Sequence, residues 1–404
     1  MKWVIFRVRE DTLTINDDDL LSKELTCPLI SFTTRCNLRC IYCASIQPGY
    51  VARDFDLKNL DYLLEGLKSY GVKLVQINGH GETTIIPDWP KLCRRILDYD
   101  IGVSITSNFS KKFDEEEIDS LARMEWIIIS IDTVNRELLM KIRGVPLEVI
   151  LDNMSRISSR AKELGVTTHF MWDNTLSDWV IPHLEEYVDC GLATGVIKFI
   201  FGRLIIHESA RNTIPLRPPS ELPAEGIINF LQIFDKILKK ITDNGGEYYI
   251  QPGIEEAINE SLAAYGMPPC RLGEPYNPKM TLNERIFQTA VKVKENIISK
   301  SSTILNKTPE HRTRNCIHPW VEPFIQTDGE VWPCCYINES LGNIRDRKFH
   351  DIWDGDAIRQ LRYEILSGNM RERCRQCQCR SWTSPQEQLK RVRELPSNEY
   401  HLAK

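Results

Sequence analysis

The 404 residues suffice for two or three domains and a large core, and 42% hydrophobic with 26% charged residues is an ordinary globular balance. A formal net charge of −5 argues against a nucleic-acid partner held by bulk electrostatics. No apolar stretch is long enough to span a bilayer, and the opening MKWVIFRVREDTLTINDDD breaks its apolar run with Arg7 and Arg9, unlike a signal peptide; a cytoplasmic protein with no membrane partner is expected.

Residues 1–27 form an N-terminal extension. From 28 to about 205, short apolar runs alternate with amphipathic stretches. The predicted strands are 28–34, 73–81, 102–108, 126–132, 166–172 and 195–202, and the predicted helices are 57–71, 88–100, 114–124, 147–165 and 176–191. Gly71, Gly165 and Gly191 read as helix stops. Such β–α units in succession imply an α/β fold: a parallel sheet, closed or partly closed, with helices outside and chemistry at the C-terminal strand ends.

In a reducing compartment clustered cysteines are metal ligands more often than bridges, and thirteen is an odd number. The loop after the first strand reads RCNLRCIYC and carries Cys36, Cys40 and Cys43. A structural zinc takes four ligands and a cubane iron–sulfur cluster is normally held by four thiolates, so three leave one iron open to a group that is not protein. This C-x3-C-x2-C loop within β–α units resembles the radical S-adenosylmethionine (SAM) superfamily. The resemblance implies a partial (β/α)6 barrel and a [4Fe–4S] cluster whose open iron takes the amino and carboxylate groups of SAM. It further implies reductive cleavage of SAM to a 5′-deoxyadenosyl radical that abstracts hydrogen from a substrate, with a reductant such as flavodoxin or ferredoxin.

The same resemblance places Tyr42 near the adenine. It matches NGHGE, with Gly79, Gly81 and Glu82, to the segment that binds the SAM amino group, Glu82 accepting from the ammonium; His80 departs from the pattern and is a candidate to face the substrate. Ser107, Asn108, Ser130 and Asp132 end the third and fourth strands, where short polar side chains can bond ribose hydroxyls or the methionine carboxylate. Arg143, in MKIRG, resembles a recurring family arginine that binds a carboxylate or staples the loop.

Residues 206–315 match nothing recognisable and read as a helical, Pro-rich insert or bridge, with helices in IINFLQIFDKILKKITDNGG and QTAVKVKENIISKSS. Beyond it, Cys316, Gly329 and Cys334 fit C-x12-G-x4-C, followed by Cys374 and Cys377 in CRQC. This resembles the SPASM auxiliary-cluster domain in its shortened "twitch" form over 316–385, before a tail at 386–404. The implied ligands of one auxiliary [4Fe–4S] cluster are Cys316, Cys334, Cys374 and Cys377. Thr383 stands where a full SPASM has another cysteine, and Cys335 and Cys379 are reserves; CRQC alone also suits zinc. Cys27, Cys93, Cys190 and Cys270 read as small buried hydrophobes.

Enzymes with this pairing are mainly maturases of ribosomally made peptides or oxidoreductases of sugars and cyclitols. A peptide substrate is expected, brought by a separate recognition protein as in splicease-like systems. The alternatives are a twitch-type sugar or cyclitol dehydrogenase or epimerase, and a non-catalytic iron–sulfur carrier. For a general base or radical quencher, chemistry alone offers His80, His169, His207, Cys270 and Tyr276.

Overall fold

The computed structural model describes residues 13–46, 50–206, 214–276, 312–337, 339–377 and 379–397. The chain divides into two compact units, Met1–Leu29 with Asp56–Leu74 and Leu305–Lys404, and Ile30–Phe55 with Val75–Ile304.

The larger unit is an open sheet whose strands lie side by side in sequence order: β1 (Leu29–Ile30), β2 (Leu74–Ile77), β3 (Gly102–Ser107), β4 (Trp126–Ser130), β5 (His169–Leu176), β6 (Val196–Arg203) and β7 (Glu247–Ile250). From β3 to β7 every pairing is parallel. After α1 (Leu60–Ser69), which belongs to the smaller unit, the connecting helices are α2 (Trp89–Leu97), α3 (Glu115–Ala122), α4 (Arg136–Ile142), α5 (Leu147–Leu164), α6 (Leu184–Ala193), α7 (Ala224–Asp243) and α8 (Ile254–Ala264). Parallel strands in sequential order with right-handed crossovers put the helices on one face and leave the other free to curl around a ligand. The α/β, partial-barrel architecture is as expected.

Side-chain alternation along β5 identifies the two faces. Phe170, Trp172, Asn174 and Leu176 are buried, and the Trp172 ring lies 5.1 Å from Tyr187 of α6. Met171, Asp173 and Thr175 therefore project onto the opposite, concave face. Helix α7 buries Ile227, Phe230, Leu231, Phe234, Ile237, Leu238 and Ile241 along one stripe, with Phe234 5.0 Å from Phe201 of β6. Each such side chain contributes about 1.5–3 kcal/mol relative to exposure.

Four expectations need correction. The stretch 206–315 is not simply a helical insert: α7 leads to a seventh parallel strand, Lys198 and Ile200 of β6 pairing with Glu247 and Tyr249 of β7. The exposed sequence Glu-Tyr-Tyr-Ile has no apolar alternation to reveal it. The fifth strand starts at His169, not 166, and α4 and α8 were not expected. Gly71 and Gly165 do stop helices, with φ of 73° and 66°, but Gly191 lies inside α6, where a Cβ would sit 2.6 Å from the Phe199 ring. Gly195, φ 85°, follows that helix. The predicted helix at 288–302 lies outside the described residues.

In the smaller unit, β9 (Phe324–Ile325), β10 (Glu330–Trp332) and β11 (Gly342–Asn343) form an antiparallel meander after β8 (Thr313–Arg314) and α9 (His318–Val321). Helices α10 (Phe349–Trp353), α11 (Asp356–Ser367) and α12 (Glu372–Arg375) follow, then β12 (Trp382–Thr383), paired with β8, and α13 (Pro385–Arg393). Its hub is the fully buried Arg362 of α11, which donates to Pro319 O, Leu20 O, Trp353 O and Asp354 Oδ1, each at 2.8–2.9 Å. Asp354 also accepts from Ser22 and from Tyr70 Oη at 2.8 Å, so no buried charge is left unpaired. Among the described residues no helix is long and apolar enough to cross a membrane.

Candidate functional site

The loop that carries Cys36, Cys40 and Cys43 is clamped at its base. Thr34 N donates to Arg53 O and Phe55 N to Phe32 O, at 2.8 and 2.9 Å, while Thr33 Oγ1 and Arg35 Nε both donate to Asp54. Within it the three thiols lie close enough to perturb one another electrostatically. Leu38 N and Asn108 Nδ2 donate to Cys36 Sγ at 3.4 and 3.7 Å, and Ser45 N donates to Cys43 Sγ at 3.4 Å. Burial pushes the Cys40 thiol up to about 11. A sulfur-only donor set fed by peptide N–H groups is the chemistry of an iron–sulfur site.

The NGHGE segment lies directly against this loop. A Cβ on Gly81 would meet Arg35 O at 2.4 Å and one on Gly79 would meet Ser31 Oγ at 2.2 Å, so both glycines serve close backbone approach. Glu82 N donates to Arg35 O at 2.7 Å. The Glu82 side chain is buried, Oε1 accepting from Thr84 N, Thr84 Oγ1 and Ser107 Oγ at 3.1, 2.7 and 2.9 Å, and Oε2 from Asn108 N at 2.7 Å. A carboxylate has about four acceptor sites. The protein itself fills them, so Glu82 ties the end of β2 to the end of β3 rather than presenting a free carboxylate. Burial pushes its carboxyl upward against these donors. Ser107 is consumed in the same knot, while Asn108 faces the cysteine loop, Nδ2 bonding Asn37 Oδ1 at 3.0 Å.

A second network closes the other side. Arg143 grips Asp132 with Nε and Nη2 at 2.7 and 3.0 Å. Tyr42 Oη donates to Asp132 Oδ2 at 2.9 Å, Thr175 N donates to Oδ1 at 2.9 Å, and the Arg143 guanidinium stands 5.6 Å from the Tyr42 ring centre. Ile41 N donates to Ile142 O at 3.0 Å, joining the cysteine loop to the end of α4. Ser130 makes no side-chain bond among the described residues and is half-buried on the concave face. Sequence reasoning missed Thr175 and the half-buried Asp173 beside it, because it began β5 three residues early and stopped at Trp172.

The smaller unit gathers the second cysteine set. Cys316, Cys334, Cys374 and Cys377 interact with one another, and so do the two reserves, Cys335 with Cys334 and Cys377, and Cys379 with Cys377 through a hydrogen bond. Burial pushes the Cys316 and Cys374 thiols up to about 11 and 12. Arg314, buried and 3.7 Å above the Trp382 ring, donates to the carbonyls of Cys374, Arg375 and Arg380 and so folds the CRQC segment around itself. Arg380 contacts His318, whose other nitrogen pairs with Glu322, and its charge favours the thiolate forms of Cys316, Cys335 and Cys377.

The catalytic candidates scatter. His80 is exposed at the end of β2, and His169 opens β5 at the opposite end, 4.7 Å from the Trp126 ring. Cys270 is buried after α8, its backbone bonded to Asn259, and Tyr276 Oη donates to Pro268 O. His207 lies outside the described residues.

Residues 30–179 match the radical SAM superfamily and residues 316–378 match SPASM, an iron–sulfur cluster-binding domain. A probable GTP 3′,8-cyclase of Pyrococcus abyssi is 28% identical over 146 residues, 36% of this chain and 46% of that protein. The GTP 3′,8-cyclase of Aliarcobacter butzleri is 32% identical over 139 residues, 32% of this chain and 42% of its own. The chain thus spans about half the length of the curated relatives it matches. Among solved structures, Streptococcus suis SuiB bound to S-adenosylmethionine superposes with a TM-score of 0.55 at 15% identity, over 84% of this chain and 68% of that one. Native anSMEcpe with bound AdoMet and Cp18Cys peptide gives 0.53 at 16%, over 94% of each chain. With both domain matches falling on the two cysteine sets, the chain is a radical SAM enzyme with a C-terminal SPASM iron–sulfur domain.

Proposed function

We propose that this enzyme modifies a peptide by hydrogen abstraction. The observation that carries the reading is the likeness of the fold to proteins solved with peptides, SuiB with its precursor peptide SuiA over 83% of this chain and anSMEcpe with Cp18Cys over 94%. The cyclase likenesses cover 28% to 45% of the chain and leave more than half of it unmatched.

The residues fit the cofactors. Cys36, Cys40 and Cys43 would hold the first [4Fe–4S] cluster, and Cys316, Cys334, Cys374 and Cys377 would close one auxiliary cluster, with Cys335 and Cys379, which interact with Cys377, as replacements. When bound and reduced, the first cluster supplies the electron that splits SAM into methionine and a hydrogen-abstracting 5′-deoxyadenosyl radical. The protein's own part is positioning. Loss of thiol protons accompanies metal binding, and the N–H groups of Leu38 and Ser45 stabilise the sulfurs that result. The Asp132–Arg143 pair fixes the Tyr42 hydroxyl, and in the bound enzyme Tyr42 would lie beside SAM and Arg143 would offer Nη1 to its carboxylate. Ser130 Oγ, half-buried at the end of β4, would bond the ribose. Glu82 shapes the amino-group site through the backbone it holds. A separate recognition protein presents the peptide, and flavodoxin or ferredoxin supplies the electron.

The test is isotope transfer. Anaerobic incubation with SAM, dithionite and genome-neighbour peptides deuterated at Cα and Cβ should place deuterium in 5′-deoxyadenosine. Transfer from a deuterated cyclitol or from GTP, with none from the peptides, overturns the peptide reading.

A further inference from the structure

The concave face carries one charged group that neither network uses. Asp173 of β5 stands in register with Ser130 of β4 and Ile200 of β6, and its half-buried carboxylate has no hydrogen bond or ion pair among the described residues. The charges that reach it are Asp132 after β4 and Arg143 just past α4, and Arg143 already grips Asp132 with two bonds. From α6 the buried Tyr187 hydroxyl feels the carboxylate without bonding to it. Beside it β6 offers Ile200 and Gly202, which carry no charge. Burial pushes the carboxyl up to about 6, so at neutral pH it is ionised with no cation of its own. A carboxylate withdrawn from water is costly unless something supplies a partner.

The missing side chain of Gly202 leaves a gap next to this carboxylate. A Cβ there would have three oxygens as its nearest neighbours: Asn174 O at 3.2 Å, Asp173 Oδ1 at 3.6 Å and Gln251 Oε1 at 3.7 Å. Gln251 follows β7, its N–H bonded to Phe201 O at 2.9 Å. Its Oε1 accepts from Arg203 N at 2.7 Å, and a carbonyl oxygen has a second lone pair for another donor. The N–H groups of Arg203 and Thr175, at the ends of β6 and β5, are thus spent on Gln251 and Asp132. The gap is lined by acceptors. It lies at the C-terminal ends of strands, where a parallel sheet of this kind does its chemistry.

We propose that the Asp173 carboxylate, with Gln251 Oε1 beside the Gly202 gap, is a substrate subsite for a primary ammonium group. An ammonium brings one positive charge, three N–H donors and no lone pair, which matches a lining of acceptors with one uncompensated negative charge. A hydroxyl or an amide brings an acceptor of its own, which would face oxygen without a donor. Within the peptide reading, on which the inference rests, the group is a lysine side chain of the substrate.

The experiment uses the reconstituted, SAM-loaded holoenzyme and saturation-transfer NMR with Nα-acetyllysine N-methylamide and its norleucine counterpart, and with glucosamine and glucose. The lysine probe should bind at least about tenfold more tightly than the norleucine probe. Asp173→Asn, which removes the charge and keeps the shape, and Gly202→Ala, which narrows the gap, should each erase that preference, with SAM affinity unchanged. Because the carboxylate must be ionised, the lysine probe should bind about fourfold more tightly at pH 8 than at pH 5.5, and Asp173→Asn should flatten that profile. Equal binding of the two probes, a preference that survives Asp173→Asn, or SAM affinity that falls with it overturns the subsite. A peptide that passes deuterium to 5′-deoxyadenosine with the same KM after its lysines are replaced by norleucine removes the subsite and leaves the peptide reading standing. An Asp173-dependent preference for glucosamine over glucose, with deuterium passing only from an amino sugar, keeps the subsite and removes the peptide reading.

Discussion

Replacing Glu82 by Gln changes one atom of a buried side chain and separates two roles for it. Oε1 takes three donors, two of them hydroxyls that can rotate, so the Gln carbonyl settles there with little loss. The new NH2 then faces Asn108 N, a fixed backbone donor that has sat 2.7 Å from Oε2. Two donors point at each other, and a hydrogen bond to a charged acceptor is lost, worth about 1.5–3 kcal/mol. The expected cost is roughly 2–3 kcal/mol of stability, read as a lower urea midpoint with the slope unchanged. Because the carboxylate is satisfied from within, SAM affinity of the folded protein, measured by anaerobic equilibrium dialysis, should fall less than about fivefold, under ~1 kcal/mol. A variant as stable as wild type that has lost SAM affinity more than tenfold would refute the staple and put the carboxylate on the ligand.

Arg143→Met leaves Asp132 buried without its cation, so stability should drop by about 3–5 kcal/mol, while Asp132→Asn combined with Arg143→Met should recover part of that loss in a denaturation cycle. Asp173 titrates higher in the folded chain than unfolded, from 3.8 to about 6, so the folded state binds its proton more tightly. Its favourable contribution is full below pH ~4 and disappears as pH rises through ~6; Asp173→Asn should therefore gain roughly 3 kcal/mol on wild type at pH 8 and under ~1 kcal/mol at pH 4, and a pH-independent difference would sink the assignment. Arg314→Met releases three carbonyls around the CRQC segment and should lower iron retention from roughly eight towards roughly four atoms per chain, with the first cluster's spectrum kept. Four irons and one zinc in the wild type would instead make the C-terminal site a zinc site.

The strand–helix alternation was legible because each β–α unit carries its own periodicity: the predicted strands at 102–108 and 126–132 coincide with β3 and β4 to within two residues. The seventh strand was not, since Glu-Tyr-Tyr-Ile is exposed and owes its conformation to the edge of β6 rather than to its own apolar pattern.

Cysteine spacing within one loop is a local property, so Cys36, Cys40 and Cys43 stood out as one set from the sequence, whereas the choice of Cys316, Cys334, Cys374 and Cys377 among the six C-terminal cysteines rested on the SPASM resemblance. Which side chains share a site across strands is not local. The resemblance of NGHGE assigned Glu82 to the SAM amino group; the tertiary fold is what brings the N–H of Asn108 and the hydroxyl of Ser107 onto its carboxylate. Likewise Arg143 either bound a carboxylate or stapled a loop until β4 and β5 placed Asp132 and Thr175 against it. Asp173, Gly202 and Gln251 belong to three separate elements, and no spacing relates them. Parallel register brings them together, Asp173 Oδ1 and Gln251 Oε1 lying 3.6 and 3.7 Å from where a side chain at Gly202 would begin.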